Sequence, residues 1–221
     1  MSDDAPRFPG ESAAYREARN ALLEAELALR ARVEEVAVQR RALPLGGEPP
    51  DYVFEERGEG GVLQQTRLSE LFADGQDSLI VYSFMYGPKM ERACPACTSL
   101  LDALDGQVAQ ITQRASMAVV ARSPIDRILG WAEQRGWRNL RLLSSADNDY
   151  NRDYRAESPE GSQLPACNVF VRRDGQVCHF WSAELLYAEL EGHPRHMDPM
   201  WPLWNFLDLT PEGRGDFFPQ V

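Results

Sequence analysis

Residues 78–106 read SLIVYSFMYGPKMERACPACTSLLDALDG. The first nine residues are almost continuously apolar, which is typical of a central β-strand that is buried on both faces. Two cysteines, Cys94 and Cys97, follow at the point where a helical pattern begins, with Pro95 between them. This spacing is compatible with a redox dithiol, with half of a metal site, and with two core residues that happen to be close.

The position of Cys94 at the predicted start of a helix favours the dithiol interpretation. Unpaired backbone N–H groups and the positive end of the helix dipole stabilise a thiolate there. Cys97 lies one turn later, where its sulfur can attack a mixed disulfide formed at Cys94. Pro95 suits the first turn, because its missing N–H would have no partner there. We therefore predict that Cys94 attacks and Cys97 resolves. The sequence assigns no proton acceptor for Cys97, although Asp102 and Glu91 are nearby.

Strands and helices alternate around this segment. Strands in the first half of the domain are expected to pair in parallel. The Asp174–Gly175 turn predicts an antiparallel hairpin in the second half. This order predicts an α/β sandwich with a mixed central sheet. The polar stretch at 146–161 shows no clear period and is predicted to be a loop. The predicted strands are 52–55, 78–86, 117–121, 140–143, 167–172 and 177–181, and the predicted helices are 70–72, 94–112, 124–136 (capped by Ser123), 183–191 and 200–206.

Residues 11–41 predict one long helix with Ser12 as its N-cap. An apolar residue recurs every seven positions along it, which is compatible with a dimerisation arm and with a helix that lies across its own domain. Prolines and glycines at 44–50 then predict a linker. We expect a helical arm and linker over 1–49 and a compact domain over 50–221. The repeated positions are Leu22, Leu29, Val36 and Leu43.

The charge balance argues against some classes of partner. The chain has 23 basic and 34 acidic side chains, a formal charge of −11, which repels nucleic acid and anionic lipid surfaces. No secretory signal begins the sequence, and no apolar run reaches the roughly 20 residues of a membrane span. We therefore expect a cytoplasmic protein, in which four cysteines are too few for a disulfide framework.

A zinc site is an alternative use of the Cys-x-x-Cys pair, with Cys167, Cys178 or His179 as further ligands. The predicted hairpin pairs Val171 with Cys178, which leaves Cys167 about 13 Å from Cys178 along the ladder. One metal ion could not bind both, so we predict no metal and no cofactor, while Cys178 or His179 could still join the dithiol singly. Both cysteines are predicted to be core residues, with Cys167 placed to approach the dithiol as a third thiol.

Several aromatic and histidine residues near the end of the chain have simpler explanations than a metal-binding, proton-relay or ligand-binding role. His193 and His196 flank a proline and predict a surface loop. Trp201, Trp204 and Phe206 predict a packed terminal helix.

The CPAC segment resembles the active-site turn of the thioredoxin-like superfamily, in which a Cys-x-x-Cys follows a central strand and opens a helix. The proline directly after the first cysteine resembles the one in the active-site motif of glutaredoxins. In QLPACNVFVRRDG, residues 163–175, Pro165 occupies the place of the cis-proline that faces the dithiol in that superfamily. The resemblance implies that Pro165 and Pro95 line the substrate-binding side.

The whole chain more closely resembles the bacterial family called domain of unknown function 899. The resemblance implies a thioredoxin-like three-layer sandwich and a dithiol-disulfide oxidoreductase, which acts on a disulfide-containing substrate or with a reductase partner. The alternative from another class is a non-catalytic binding module that uses the helical arm and the loop at 146–161. The matching stretches are QRRALPLGG, DYVF, LIVYSFMYGP, CPAC, NVFVRRDG and LDLTPEGR.

Overall fold

The computed structural model describes residues 7–184 and 198–221. Contacts divide the chain into two units, Met1–Pro44 and Leu45–Val221. The predicted helix at 183–191 lies almost entirely outside the described residues, and so do His193 and His196.

Within residues 7–44, the described part of the first unit, there is one helix, α1, over Ala13–Arg41. Ser12 caps it as predicted, because its side chain accepts a hydrogen bond of 3.1 Å from the Tyr15 N–H. None of the residues of α1 is buried.

The second unit is built on one seven-stranded mixed sheet in the order β2-β1-β5-β4-β3-β6-β7. Strands β3, β4 and β5 run parallel, and the other neighbouring pairs are antiparallel. The apolar run at 78–86 therefore provides an inner strand, as predicted, although the strand ends at Ser83. The strands are β1 Val53–Arg57, β2 Leu63–Arg67, β3 Ser78–Ser83, β4 Ser116–Ala121, β5 Leu142–Ser144, β6 Ala166–Arg173 and β7 Gln176–Ser182.

Helical segments cover both faces of this sheet. One face carries a large apolar cluster formed with α2, α4 and α6, which we call the helix-side cluster. The other face packs against a short 3-10 turn at Leu68–Glu70 and against α5. None of the helices in the described parts of the chain is long and apolar enough to cross a membrane. The helices of the domain are α2 Pro95–Asp105, α3 Val108–Ile111, α4 Ile125–Arg135, α5 Tyr150–Asp153 and α6 Pro202–Leu207.

Some boundaries differ from the sequence predictions. Helix 94–112 is interrupted at Gly106, and the 70–72 helix is instead the 3-10 turn at Leu68–Glu70. Ser123 does not cap α4, whose N-cap is Pro124. The stretch at 146–161 is not simply a loop, because Tyr150 of α5 is completely buried against the sheet. Its aromatic packing outweighs the polar residues around it.

The hairpin between β6 and β7 has the predicted turn and register. Asp174 and Gly175 both have positive φ, 51° and 81°, which suits a tight hairpin connection. Val171 lies opposite Cys178, as the sequence predicted.

The linker adds to the sheet at the outer edge of β7. The Gly46 N–H donates to the His179 carbonyl at 2.8 Å, and the His179 N–H donates to the Gly47 carbonyl at 2.9 Å. A Cβ on Gly46 would lie 2.7 Å from the His179 carbonyl oxygen, so this close approach requires glycine.

Candidate functional site

The two cysteines lie where the chain leaves β3 and enters α2. Cys94 is the N-cap residue of α2, and Pro95 occupies its first turn. The Cys94 N–H donates to the Met85 carbonyl at 3.0 Å, and the Cys94 carbonyl accepts from the Thr98 N–H and hydroxyl, each at 2.9 Å. The loop before the helix and the first turn within it therefore fix the backbone of Cys94. Both cysteines are free thiols.

The surroundings of Cys94 stabilise its thiolate. A hydrogen bond from the Cys97 side chain lowers the pKa of Cys94 to about 6; partial burial opposes this, and the backbone N–H groups of Cys97 and Ala96 add to the lowering. Its side chain remains partly exposed. Cys94 therefore has the charge state and the access that a nucleophilic thiol needs at neutral pH.

Cys97 differs from Cys94 in both its burial and the direction of its pKa shift. It is 3% exposed, and its hydrogen bond to Cys94 together with burial raises its pKa well above the ordinary value. Two donors act in the other direction, namely the Tyr82 hydroxyl and the Met85 N–H. The pair thus consists of an accessible thiolate and a buried, protonated thiol.

Tyr82 is a member of this site that the sequence analysis missed. It lies on β3, is 2% exposed and belongs to the helix-side cluster, where its hydroxyl hydrogen-bonds to Cys97. The only signal in the sequence is a polar-tipped aromatic residue within an apolar strand, and many buried tyrosines share that signal.

An arginine of α4 holds the loop that leads to Cys94. Arg127 donates to the carbonyls of Gly87 at 3.4 Å, Pro88 at 3.2 Å and Met90. Its guanidinium also lies over the Tyr86 ring, 4.6 Å from the centroid. The connection between strand and helix, although long, is therefore anchored.

The other two cysteines are packed in the domain. Cys167 is buried in the helix-side cluster opposite Tyr82 on β6, and burial raises its pKa to about 12. A buried thiol with a raised pKa lacks the properties of a nucleophile, and the approach of Cys167 to the dithiol stays a prediction. Cys178 is also buried, on β7. No group of three potential metal ligands occurs within 7–184 or 198–221.

Comparison with known families identifies the chain. The model of a family described as bacterial protein of unknown function (DUF899) matches residues 6–220. The chain belongs to the DUF899 family. Its domain has an α/β fold on a mixed seven-stranded sheet, with the strand, connection and helix around the cysteines in the order that the resemblance implied. A comparison with curated proteins finds no match for this DUF899 chain.

Several solved structures are similar to part of this DUF899 protein. A reduced 2-Cys peroxiredoxin of Plasmodium vivax is 18% identical, with 60% of this chain and 81% of that chain covered and a TM-score of 0.46. Thioredoxin peroxidase I of Plasmodium yoelii is 17% identical, with 80% and 97% covered and a TM-score of 0.47. Peroxidoxin BcpB of Mycobacterium tuberculosis is 21% identical, with 72% and 95% covered and a TM-score of 0.45.

Pro165 lies one residue before β6 in this DUF899 protein. The register pairs Ala166 with Ser83, so Pro165 is near the end of the sheet at which β3 leads to the dithiol. The prediction of a cis bond between Leu164 and Pro165 is wrong, because every peptide bond in the described residues is trans. Trans is the intrinsically favoured isomer.

The two acidic residues near the dithiol in sequence are not among the groups that shift the pKa of Cys97. Asp102 accepts hydrogen bonds from Arg135 and from the Trp137 indole, the latter at 2.8 Å. These bonds hold its carboxylate at the contact between α2 and α4. Glu91 is exposed in the loop before Cys94. Among the side chains that act on Cys97, the hydrogen-bonding ones are Cys94 and Tyr82.

Proposed function

We propose that this DUF899 protein is a thiol-disulfide oxidoreductase. The observation that carries the proposal is the pairing of an accessible Cys94, whose pKa is lowered to about 6, with a buried Cys97 one helical turn away. Lowered thiol pKa values at partly exposed helix N-termini are typical of reactive rather than structural cysteines.

The reaction proceeds in two displacement steps. The Cys94 thiolate attacks one sulfur of a substrate disulfide, forms a mixed disulfide and releases the first product thiolate. Cys97 then loses its proton to solvent or to that product, attacks the Cys94 sulfur and releases the second product thiolate. Two electrons pass from the protein to the substrate, and a Cys94–Cys97 disulfide forms. An external dithiol reductant must reduce this disulfide before the next turnover.

Pro95 and Pro165 are proposed to shape the substrate-binding side. Pro95 lies between the two cysteines, and Pro165 is near the same end of the sheet. Neither residue has a backbone N–H, so neither donates a backbone hydrogen bond to the substrate. The proposed partners are a disulfide-containing substrate and the reductant, and the proposed location is the cytoplasm, with no resident cofactor. A homodimer through α1 remains a further proposal.

Brief exposure to glutathione disulfide followed by mass spectrometry tests the mechanism. Wild-type protein is expected to form the intramolecular disulfide. Cys97→Ala is expected to accumulate a mixed disulfide at Cys94, and Cys94→Ala is expected to form neither species. Cys178→Ala is the control, since it removes a buried cysteine of β7, and it should behave as wild type. Full reactivity of Cys94→Ala would contradict the proposal.

A non-catalytic binding role is the second candidate. It is favoured by α1, whose 29 residues include exposed Leu22, Leu29 and Val33 and no buried residue. Exposed apolar side chains in a row suit a protein partner. The double variant Cys94→Ser with Cys97→Ser separates the two functions: full biological activity of this variant supports binding, and its loss supports redox chemistry.

A further inference from the structure

The buried hydroxyl of Tyr82 has a defined chemical partner. Tyr82 lies between β4 and β6 on the central strand β3, with Val119 and Cys167 as its cross-strand neighbours. Its side chain points into the helix-side cluster, where the hydroxyl hydrogen-bonds to the Cys97 sulfur. A buried tyrosine hydroxyl needs a partner, and here that partner is the proposed resolving thiol.

The groups around the Cys97 sulfur change when Cys94 reacts. In the reduced pair, the Cys97 thiol donates to the Cys94 thiolate, and the charge on Cys94 opposes ionisation of Cys97. In a mixed disulfide, Cys94 carries no charge and accepts a hydrogen bond only weakly. The remaining donors to the Cys97 sulfur are then the Tyr82 hydroxyl and the Met85 N–H.

We propose that Tyr82 is a catalytic residue of the second step, because its hydroxyl donates a hydrogen bond to the Cys97 thiolate that attacks the mixed disulfide. This inference rests on the proposed function. Cys97 is held protonated while Cys94 is the nucleophile, and it ionises once the charge on Cys94 has been consumed. The order of the two attacks is therefore built into the site.

Tyr82 acts as a donor and not as a base. Burial raises the pKa of Tyr82 well above its ordinary value, and the sulfurs of Cys97, Cys94 and Cys167 add to this effect. Its hydroxyl therefore keeps its proton throughout. The proton of Cys97 leaves to solvent or to the thiolate product. The sulfur of Cys97 becomes negative in the step, and it then shares that charge with the second product thiolate as the bond to Cys94 forms.

Stopped-flow reaction with 5,5′-dithiobis(2-nitrobenzoate) separates the two steps. Attack by Cys94 releases one coloured thiolate, and attack by Cys97 on the mixed disulfide releases the second. The test variant is Tyr82→Phe, which removes only the hydroxyl. The control is Tyr150→Phe, which removes the hydroxyl of another completely buried tyrosine, on the opposite face of the sheet.

In Tyr82→Phe, the first phase is expected to stay within about twofold of wild type, while the second phase slows by about tenfold or more, the typical effect of removing a hydrogen bond to a charged group. The pH profile of the second phase should also move to higher pH, which a purely structural role would not produce. Tyr150→Phe should leave both phases unchanged. Matching denaturation midpoints show that each variant is folded.

The outcomes distinguish the inference from the function on which it rests. A second phase with the same rate and pH profile in wild type and Tyr82→Phe overturns the role of Tyr82 and leaves the oxidoreductase proposal intact. A wild-type protein without a first phase overturns both. Equal slowing in Tyr150→Phe also overturns the inference, because any buried hydroxyl would then matter.

Discussion

At the scale of single residues, three donors converge on the sulfur of Cys94: the Cys97 thiol and the N–H groups of Ala96 and Cys97. No basic side chain is needed to account for the thiolate, because backbone dipoles at a helix N-terminus and a neighbouring thiol provide the stabilisation. The same arrangement keeps Cys97 protonated. Removing either partner should therefore change the acidity of the other.

The first prediction concerns that acidity. The rate of Cys94 alkylation by iodoacetamide should follow a pKa of about 6 in wild type, and the apparent pKa should rise towards the ordinary thiol value of about 8.5 in Cys97→Ala, because the largest stabilising hydrogen bond is lost. Cys167→Ala serves as the control and should keep the wild-type profile. A profile that is identical in wild type and Cys97→Ala would show that Cys97 does not stabilise the thiolate.

A second prediction links this thiolate to stability. The pKa of Cys94 is lower in the folded state than in the unfolded chain, so its contribution is present above the unfolded value and is lost as the pH falls through about 6. The difference in free energy of unfolding between reduced wild type and Cys94→Ala should therefore grow between pH 5 and pH 8. Cys97 is protonated in the folded state and mostly protonated in the unfolded chain, whose thiol pKa is about 8.5, so it adds little slope. Urea denaturation at each pH measures the difference, and a constant value would contradict the prediction.

At the scale of elements, the connection between β3 and α2 sets the position of Cys94, and α4 holds it through Arg127. Three backbone carbonyls and one aromatic ring share a single guanidinium, so this contact anchors the connection that leads to the cysteine. The loop gains its order from a side chain on another element.

The third prediction tests that anchor. Arg127→Ala should destabilise the domain by about 1–3 kcal/mol, as expected for several hydrogen bonds to one charged group. It should also accelerate amide hydrogen exchange at Met90 and raise the apparent pKa of Cys94, because the loop carries the Met85 carbonyl that holds the Cys94 N–H. Gln134→Ala, an exposed position on the same helix, is the matched control. Unchanged exchange in the loop would contradict the anchoring role.

The elements that the sequence predicted well are those with local signals. The Asp174–Gly175 turn and the Ser12 cap depend on residues within four positions of each other, and both are confirmed. β2 was missed because its LQQTR sequence is an edge strand whose pairing with β1 provides the order that apolar alternation does not. The contact of Tyr82 with Cys97 was missed because it joins residues that only the packing of α2 on β3 brings together.

At the scale of the whole domain, the sheet is bounded by β2 on one side and by β7 on the other. The linker residues Gly46 and Gly47 form two hydrogen bonds with His179 on the outer side of β7. The chain thus begins its compact domain by pairing with the last strand of its own sheet.

The fourth prediction concerns this pairing. Gly46→Val should break it, because a Cβ there would lie 2.7 Å from the His179 carbonyl oxygen. We expect a loss of about 1–2 kcal/mol in the free energy of unfolding and faster amide hydrogen exchange at His179. Gly47→Ala has open space around its Cβ and is the control. Equal exchange at His179 in Gly46→Val and wild type would show that the linker does not protect the strand.

The paired glycines also bear on how the protein behaves at high concentration. A bare outermost strand offers a template to which a strand of another molecule can add, and repeated addition leads to fibrils. In this domain, the backbone of Gly46 and Gly47 already pairs with part of the outer edge of β7, so that part is not open to a strand of another molecule. Two residues without side chains thereby give this domain a defence against aggregation.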